Sequence, residues 1–172
     1  MQLRVAAQAR KRALHTFKSW DVPASSYALG RFWLAMFEVF EGRDDEARLW
    51  IAEMLDSDVN FDEIESLMLS RMVAYAVSDV ASDAGTFRRN AQMDLAGVQF
   101  IDKVLGCLPE DQFLQLRRKV YPEYHINCAI RHYENGERKL CVRHALQGWR
   151  AAPLHRRNLR LFKQMMRSMR GY

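Results

Sequence analysis

The sequence predicts an all-α chain of antiparallel helix pairs. Apolar residues recur at helical spacing through almost all of its 172 residues, and no alternating strand pattern of any length interrupts them. Two stretches 94 positions apart share one grammar, from Trp33 through Gly42 to Leu55 and from Asn127 through Gly136 to Pro153. In each, an apolar helix closes at a Gly, charged residues follow, and a second helix opens with a small residue five positions after the Gly (Ala47, Cys141). Only 4 Pro and 8 Gly occur, so the chain is globular rather than disordered.

The elements follow in order. Residues 2–19 form a first helix with Leu3, Ala7, Leu14 and Phe17 near one face. Pro23 stops it, and Ser25 or Ser26 caps the next. That second helix is strongly apolar, carrying Tyr27, Leu29, Phe32, Trp33, Met36, Phe37 and Phe40, and Gly42 closes it. Asp44, Asp45 and Glu46 suit the positive end of a third helix bearing Leu49, Ile51, Met54 and Leu55. A turn at Asp56–Asn60 leads into a fourth helix reaching about Ser82, with Phe61, Ile64, Leu67, Met68, Met72 and Tyr75. Asp83, Gly85 and Thr86 break it, and a fifth helix spans about Phe87 to Leu108. Pro109, Glu110 and Asp111 make a first turn for a sixth, which Pro122 ends or kinks. The second repeat supplies a seventh and an eighth, and Pro153 separates them from a terminal helix of about Leu154 to Met169. The expected architecture is therefore one domain over 1–172, all-α, with about seven to nine helices in irregular stacked pairs. The clearest pairs lie near 26–57 and 123–152, with a basic terminal helix over 154–170.

Length and charge bound the function. The chain is long enough for one substantial core. No apolar run approaches the ~18–20 residues of a membrane span, and the basic, amphipathic first residues lack the uncharged core of a secretion signal. A cytoplasmic place is expected, extending to the periphery of the inner membrane. Three cysteines (Cys107, Cys128, Cys141) make an odd count without scaffold spacing, so reduced thiols are expected. The net charge is +5, but Glu38–Glu65 holds eleven acids against Arg43 and Arg48, while no acid follows Glu137. An acidic front and a basic end suit attraction within an assembly, or an anionic partner.

Paired helices approach closely only where side chains are small. Ala35 and Ala47 provide this in the first unit, and Ala129 and Cys141 hold the same offsets in the second. The spacing resembles the tetratricopeptide repeat: Ala129, Tyr133, Gly136, Cys141, Gly148, Trp149 and Pro153 follow its pattern. The first unit departs from it at Met54 and Val59, and the residues between do not keep the ~34-residue period. Over about 100–170, the run through Leu108-Pro109, Tyr124 to Glu137, Arg143 to Leu146, Ala152-Pro153 and Arg157 to Leu161 is similar to the helical tail of bacterial family 2 glycosyltransferases. That resemblance implies a sugar-transfer setting at the cell envelope, in surface-polysaccharide synthesis. It does not imply that this chain transfers sugar, because the alternating strands and helices of a nucleotide-binding half are missing. Asp56-Ser57-Asp58 spells that family's Asp-x-Asp tripeptide, yet it follows a helix and reads as a turn and cap.

The sharpest metal candidate is His125, Cys128 and His132, at offsets of three and seven on one helical face, with Cys141 and His144 further on. Cys128 and Cys141 also sit at the repeat's core offsets, where small residues belong, so packing is the preferred reading and no metal or cofactor is expected. A Cys–His nucleophile lacks a Gly-rich turn or oxyanion donor, and no carboxylate pair stands out. In the terminal helix, Arg156, Arg157, Arg160, Lys163 and Arg167 surround an apolar stripe of Leu161, Phe162, Met165 and Met166. These five cations are the candidate partner-binding residues. The leading reading is a non-catalytic scaffold that binds a protein partner or a linked catalytic domain. The alternative is an anionic-surface binder acting through the same end, on lipid head groups or nucleic acid. Nucleic acid is the least supported, since no reading-head motif or aromatic–basic interleaving is found.

Overall fold

A computed structural model of the chain describes residues 23–57, 59–78 and 90–153. Among them the fold is all-α, with six helices and no strand: α1 (Ala24–Phe40), α2 (Asp44–Leu55), α3 (Phe61–Ser78), α4 (Ala91–Leu105), α5 (Glu110–Glu134) and α6 (Arg138–Ala151). The helices expected near 2–19 and 154–169 lie outside the described residues. The chain divides into two compact units, Met1–Met72 with Phe100–Phe113, and Val73–Gln99 with Leu114–Tyr172.

Two expectations change. The sixth and seventh helices are one, since α5 runs through Pro122. Proline removes its own N–H and leaves one carbonyl a turn earlier without its helical partner, a cost of about 3 kcal/mol in an open helix. Here Val120, Pro122, Tyr124 and Ile126 are all buried. Burial of those side chains at roughly 1.5–3 kcal/mol each outweighs the lost bond. The second change is at α1, which starts at Ala24 with Pro23 as its N-cap and no side-chain cap. Proline's φ of −53° is already helical, and its carbonyl accepts from Ser26 N–H at 2.9 Å. The start of α4 does use a side-chain cap: Asn90 Oδ1 accepts from the N–H groups of Gln92 and Met93, both at 3.0 Å.

In the first unit, α1 is buried almost all round, with every residue from Leu34 to Val39 inside. It packs on α2, and both small residues, Ala35 and Ala47, are buried. Arg31 and Glu53 tie the two helices at their surface, 3.3 Å apart. Ile64, Met68, Met72, Phe100, Ile101, Val104 and Leu105 are also buried in this unit. In the second unit, Ala129 and Cys141 form a buried cluster with Ala145 packed on it, so small residues again line a helix pair. All three cysteines are free thiols.

The two inter-helix turns are the same structure. Arg43 N–H donates to Glu38 O at 2.8 Å and Gly42 N–H to Val39 O at 3.1 Å. Ninety-four positions on, Glu137 N–H donates to His132 O at 2.8 Å and Gly136 N–H to Tyr133 O at 3.0 Å. Both are Schellman closures, with the glycine left-handed at φ 77° and 75°. The next helix opens at once, as Ala47 N–H donates to Arg43 O and Cys141 N–H to Glu137 O. A Cβ at either glycine would meet nothing within 4 Å. Gly42→Ala and Gly136→Ala therefore cost backbone strain alone. Each variant is expected to lose about 1–2 kcal/mol in urea unfolding, with an unchanged helical spectrum.

Candidate functional site

The Schellman closure sets the side chain of the third-last helical residue beside that of the third residue past the end. In the first turn these are Glu38, fully buried, and Arg43, which donates from Nε and Nη2 to Glu38 Oε2. The same two positions in the second turn hold His132, fully buried, and Glu137, whose Oε2 lies 2.6 Å from His132 Nδ1. The pairing recurs with its charges exchanged: a buried acid capped by a base, then a buried base capped by an acid. The hydrogen bond from Arg43 to Glu38 raises the arginine's pKa above its ordinary value.

The second unit builds further on its turn. His132 Nε2 lies 2.9 Å from Asp94 Oδ2, and His144 Nε2 lies 2.9 Å from the same oxygen. The two imidazoles stack with centroids 5.4 Å apart and planes at 22°. Three helices contribute one group each. Asp94 stands in the first turn of α4, where the positive end of the helix favours a carboxylate. His132 lies in the last turn of α5, where the negative end favours a cation. His144 lies on α6, on the inner face it shares with Cys141 and Gly148. All three are buried, at 7%, 0% and 4% exposure. Tyr124, on α5, fixes the carboxylate's helix from behind by donating from its hydroxyl to Asp94 O at 2.7 Å.

Hydrogen-bond counting constrains the protons. Both nitrogens of His132 face carboxylate oxygens, and with both acids ionised the ring satisfies them only as an imidazolium. His144 faces Asp94 through Nε2 and His125 through Nδ1, the latter at 3.1 Å. One proton must lie between His125 and His144. Burial first, and repulsion from His144 second, lower His125 from 6.5 to about 4, with Asp94 acting in opposition.

This shift has a consequence for stability. The unfolded chain takes up a proton on His125 near its ordinary 6.5, and the folded chain does so only near 4. Folding stability is thus intact above about 6.5 and falls as pH drops from there toward 4. Screening at this partly exposed ring cuts the loss to about 1–2 kcal/mol. His125→Asn is expected to flatten that window, as read by urea unfolding at several pH values in the presence of a chelator.

The structure redistributes the residues singled out by spacing. His132 and His144 meet at Asp94, and His125 abuts His144. Cys128 and Cys141 are buried in the second unit, Cys141 beside Ala129, and burial raises the Cys141 thiol pKa. Spacing missed Asp94, because one acid in a helix's first turn reads as an ordinary response to the dipole. Glu137 was legible: the run His132 to Glu137 brackets Gly136 as Glu38 to Arg43 brackets Gly42. Asp56 is the C-cap of α2, as a turn reading requires, and Asp58 lies outside the described residues. So do the five cations Arg156, Arg157, Arg160, Lys163 and Arg167. No described helix is long and apolar enough to cross a membrane. Compared with known proteins, the chain matches no family model, no curated protein and no solved structure.

Proposed function

We propose that this chain is a non-catalytic helical scaffold, with its helices stacked as irregular tetratricopeptide-like pairs. It holds another protein or a linked catalytic domain, in the setting of a surface-polysaccharide glycosyltransferase. One observation carries the reading: the same Schellman-closed pair, with small residues buried at its seam, occurs twice 94 positions apart. Repetition of a packing unit is how helical scaffolds extend a surface. The burial of Asp94, His132 and His144 adds support, since a substrate cannot reach groups so enclosed. Exposed apolar residues on α6, namely Val142, Leu146 and Trp149, recur at offsets of four and seven and offer a stripe for contact.

A photo-crosslinking residue at Leu146, in cells, tests this. The expected product is a discrete protein adduct yielding peptides of a nucleotide-sugar transferase domain, and its yield should hardly change with salt. The second reading, attachment to an anionic surface, is favoured by the acid-free sequence after Glu137. It requires lipid or nucleic-acid adducts, binding that falls steeply with salt, and loss of binding when Arg156, Arg157, Arg160, Lys163 and Arg167 are neutralised. Absence of any protein adduct would reject the scaffold.

A further inference from the structure

We propose that Asp94, His132 and His144 form a binding site for a divalent first-row transition-metal ion, with zinc(II) the best match. The proposal goes beyond the scaffold reading and does not depend on it. Two observations converge. First, the atoms presented are a carboxylate oxygen and two imidazole Nε2 atoms, all within 4.8 Å of one another and all buried. Two imidazoles and a carboxylate are a donor set for zinc and its neighbours, and are poor for magnesium or calcium, which take oxygen donors.

Second, each imidazole is held from behind. Metal-binding histidines anchor the remote nitrogen on a carboxylate, carbonyl or comparable acceptor, which fixes the tautomer and aims the other lone pair. His132 Nδ1 meets Glu137 Oε2 at 2.6 Å, and His144 Nδ1 meets His125 Nδ1 at 3.1 Å. With Nδ1 as the donor in both rings, each Nε2 faces Asp94 Oδ2, where a metal ion can replace the proton that His132 Nε2 carries in the metal-free protein. Lone pairs facing an anion repel, unless a proton or a metal ion lies between them.

The donors already surround one point, within 4.8 Å of one another. Zinc bonds of about 2.0–2.2 Å at tetrahedral angles set donors roughly 3.4 Å apart. The two nitrogens each lie 2.9 Å from Oδ2 and within 4.8 Å of each other, so Asp94 has to draw back by some tenths of an ångström while the two rings adjust about the ion. Three protein donors leave one position for a water or for the second oxygen of Asp94. Because the donors come from α4, α5 and α6, the ion would clamp three helices of the second unit, and its role is structural.

The full chain, stripped with a chelator and titrated with zinc(II) or cobalt(II), tests the site. The expected result is one ion per chain, with a rise of several degrees in Tm that magnesium does not reproduce. The cobalt form should show visible ligand-field bands without the ultraviolet thiolate charge-transfer band. Glu137→Gln should weaken binding by about 10–100-fold, and His132→Asn or His144→Asn by more. A stoichiometry below one, a thiolate band (placing the ion on Cys128 or Cys141), or unchanged affinity in Glu137→Gln would overturn the proposal. If the histidine variants do not fold, the wild-type stoichiometry and cobalt spectrum decide it.

Discussion

His132→Ala is expected to destabilise the protein by about 4 kcal/mol, the largest loss from any single substitution at the site. The ring is fully buried and bridges two carboxylates, 2.9 Å from Asp94 and 2.6 Å from Glu137. Truncation removes the ring's bonds to both carboxylates and leaves Asp94, itself buried, without one of its partners. Breaking a buried ionic pair from one side costs about 3–5 kcal/mol, far more than the pair contributes relative to an apolar replacement. Denaturant unfolding with a chelator present measures the loss. A double-mutant cycle separates this cause from a simple cavity. In an Asp94→Ala background the same truncation should cost about 1–3 kcal/mol less, because no carboxylate is stranded. An additive pair would show that the three groups do not act as a unit.

Gly97→Ala is expected to be nearly as damaging, for a different reason. A Cβ at this position would lie 2.4 Å from Tyr124 Oη, 2.7 Å from Ala76 O and 3.0 Å from Tyr124 Cε2. One of these neighbours is backbone, and the tyrosine cannot swing aside without leaving Asp94 O, to which it donates at 2.7 Å. Forcing a methyl group into a packed seam costs about 1–3 kcal/mol, and a buried tyrosine hydroxyl pushed off its acceptor adds about 1 kcal/mol or more. Tyr124→Phe isolates the second contribution. It should lose only about 1–2 kcal/mol in urea unfolding, and Gly97→Ala in that background should recover part of its cost.

These two substitutions mark where local reading stopped. Gly42 and Gly136 were legible because a helix end that needs positive φ selects glycine, and charged residues follow at once. Gly97 gives no such sign. It stands inside a helix, at a place where propensity disfavours it, and its reason is the tyrosine and carbonyl packed against it. The helix starts at Asp44 and Glu110 were legible from acids at the positive end. The continuity of α5 through Pro122 was not, because the proline penalty is local, whereas the burial of Val120, Tyr124 and Ile126 that overrides it comes from neighbours distant in the chain.

The site divides in the same way. Spacing along one helix placed His125, Cys128 and His132 on a common face, and helical periodicity makes that inference sound. It could not tell which of the three would face a carboxylate on another helix. Asp94 precedes His132 by 38 positions, and no short-range pattern links them.

Periodicity, end-capping chemistry and small residues at repeated offsets are short-range properties, so the chain alone specified an all-helical protein and its two closely packed turns. The meeting of one carboxylate with two imidazoles depends on how three helices cross. Crossing is set by side-chain volume summed over a whole core, and only the folded arrangement reveals it.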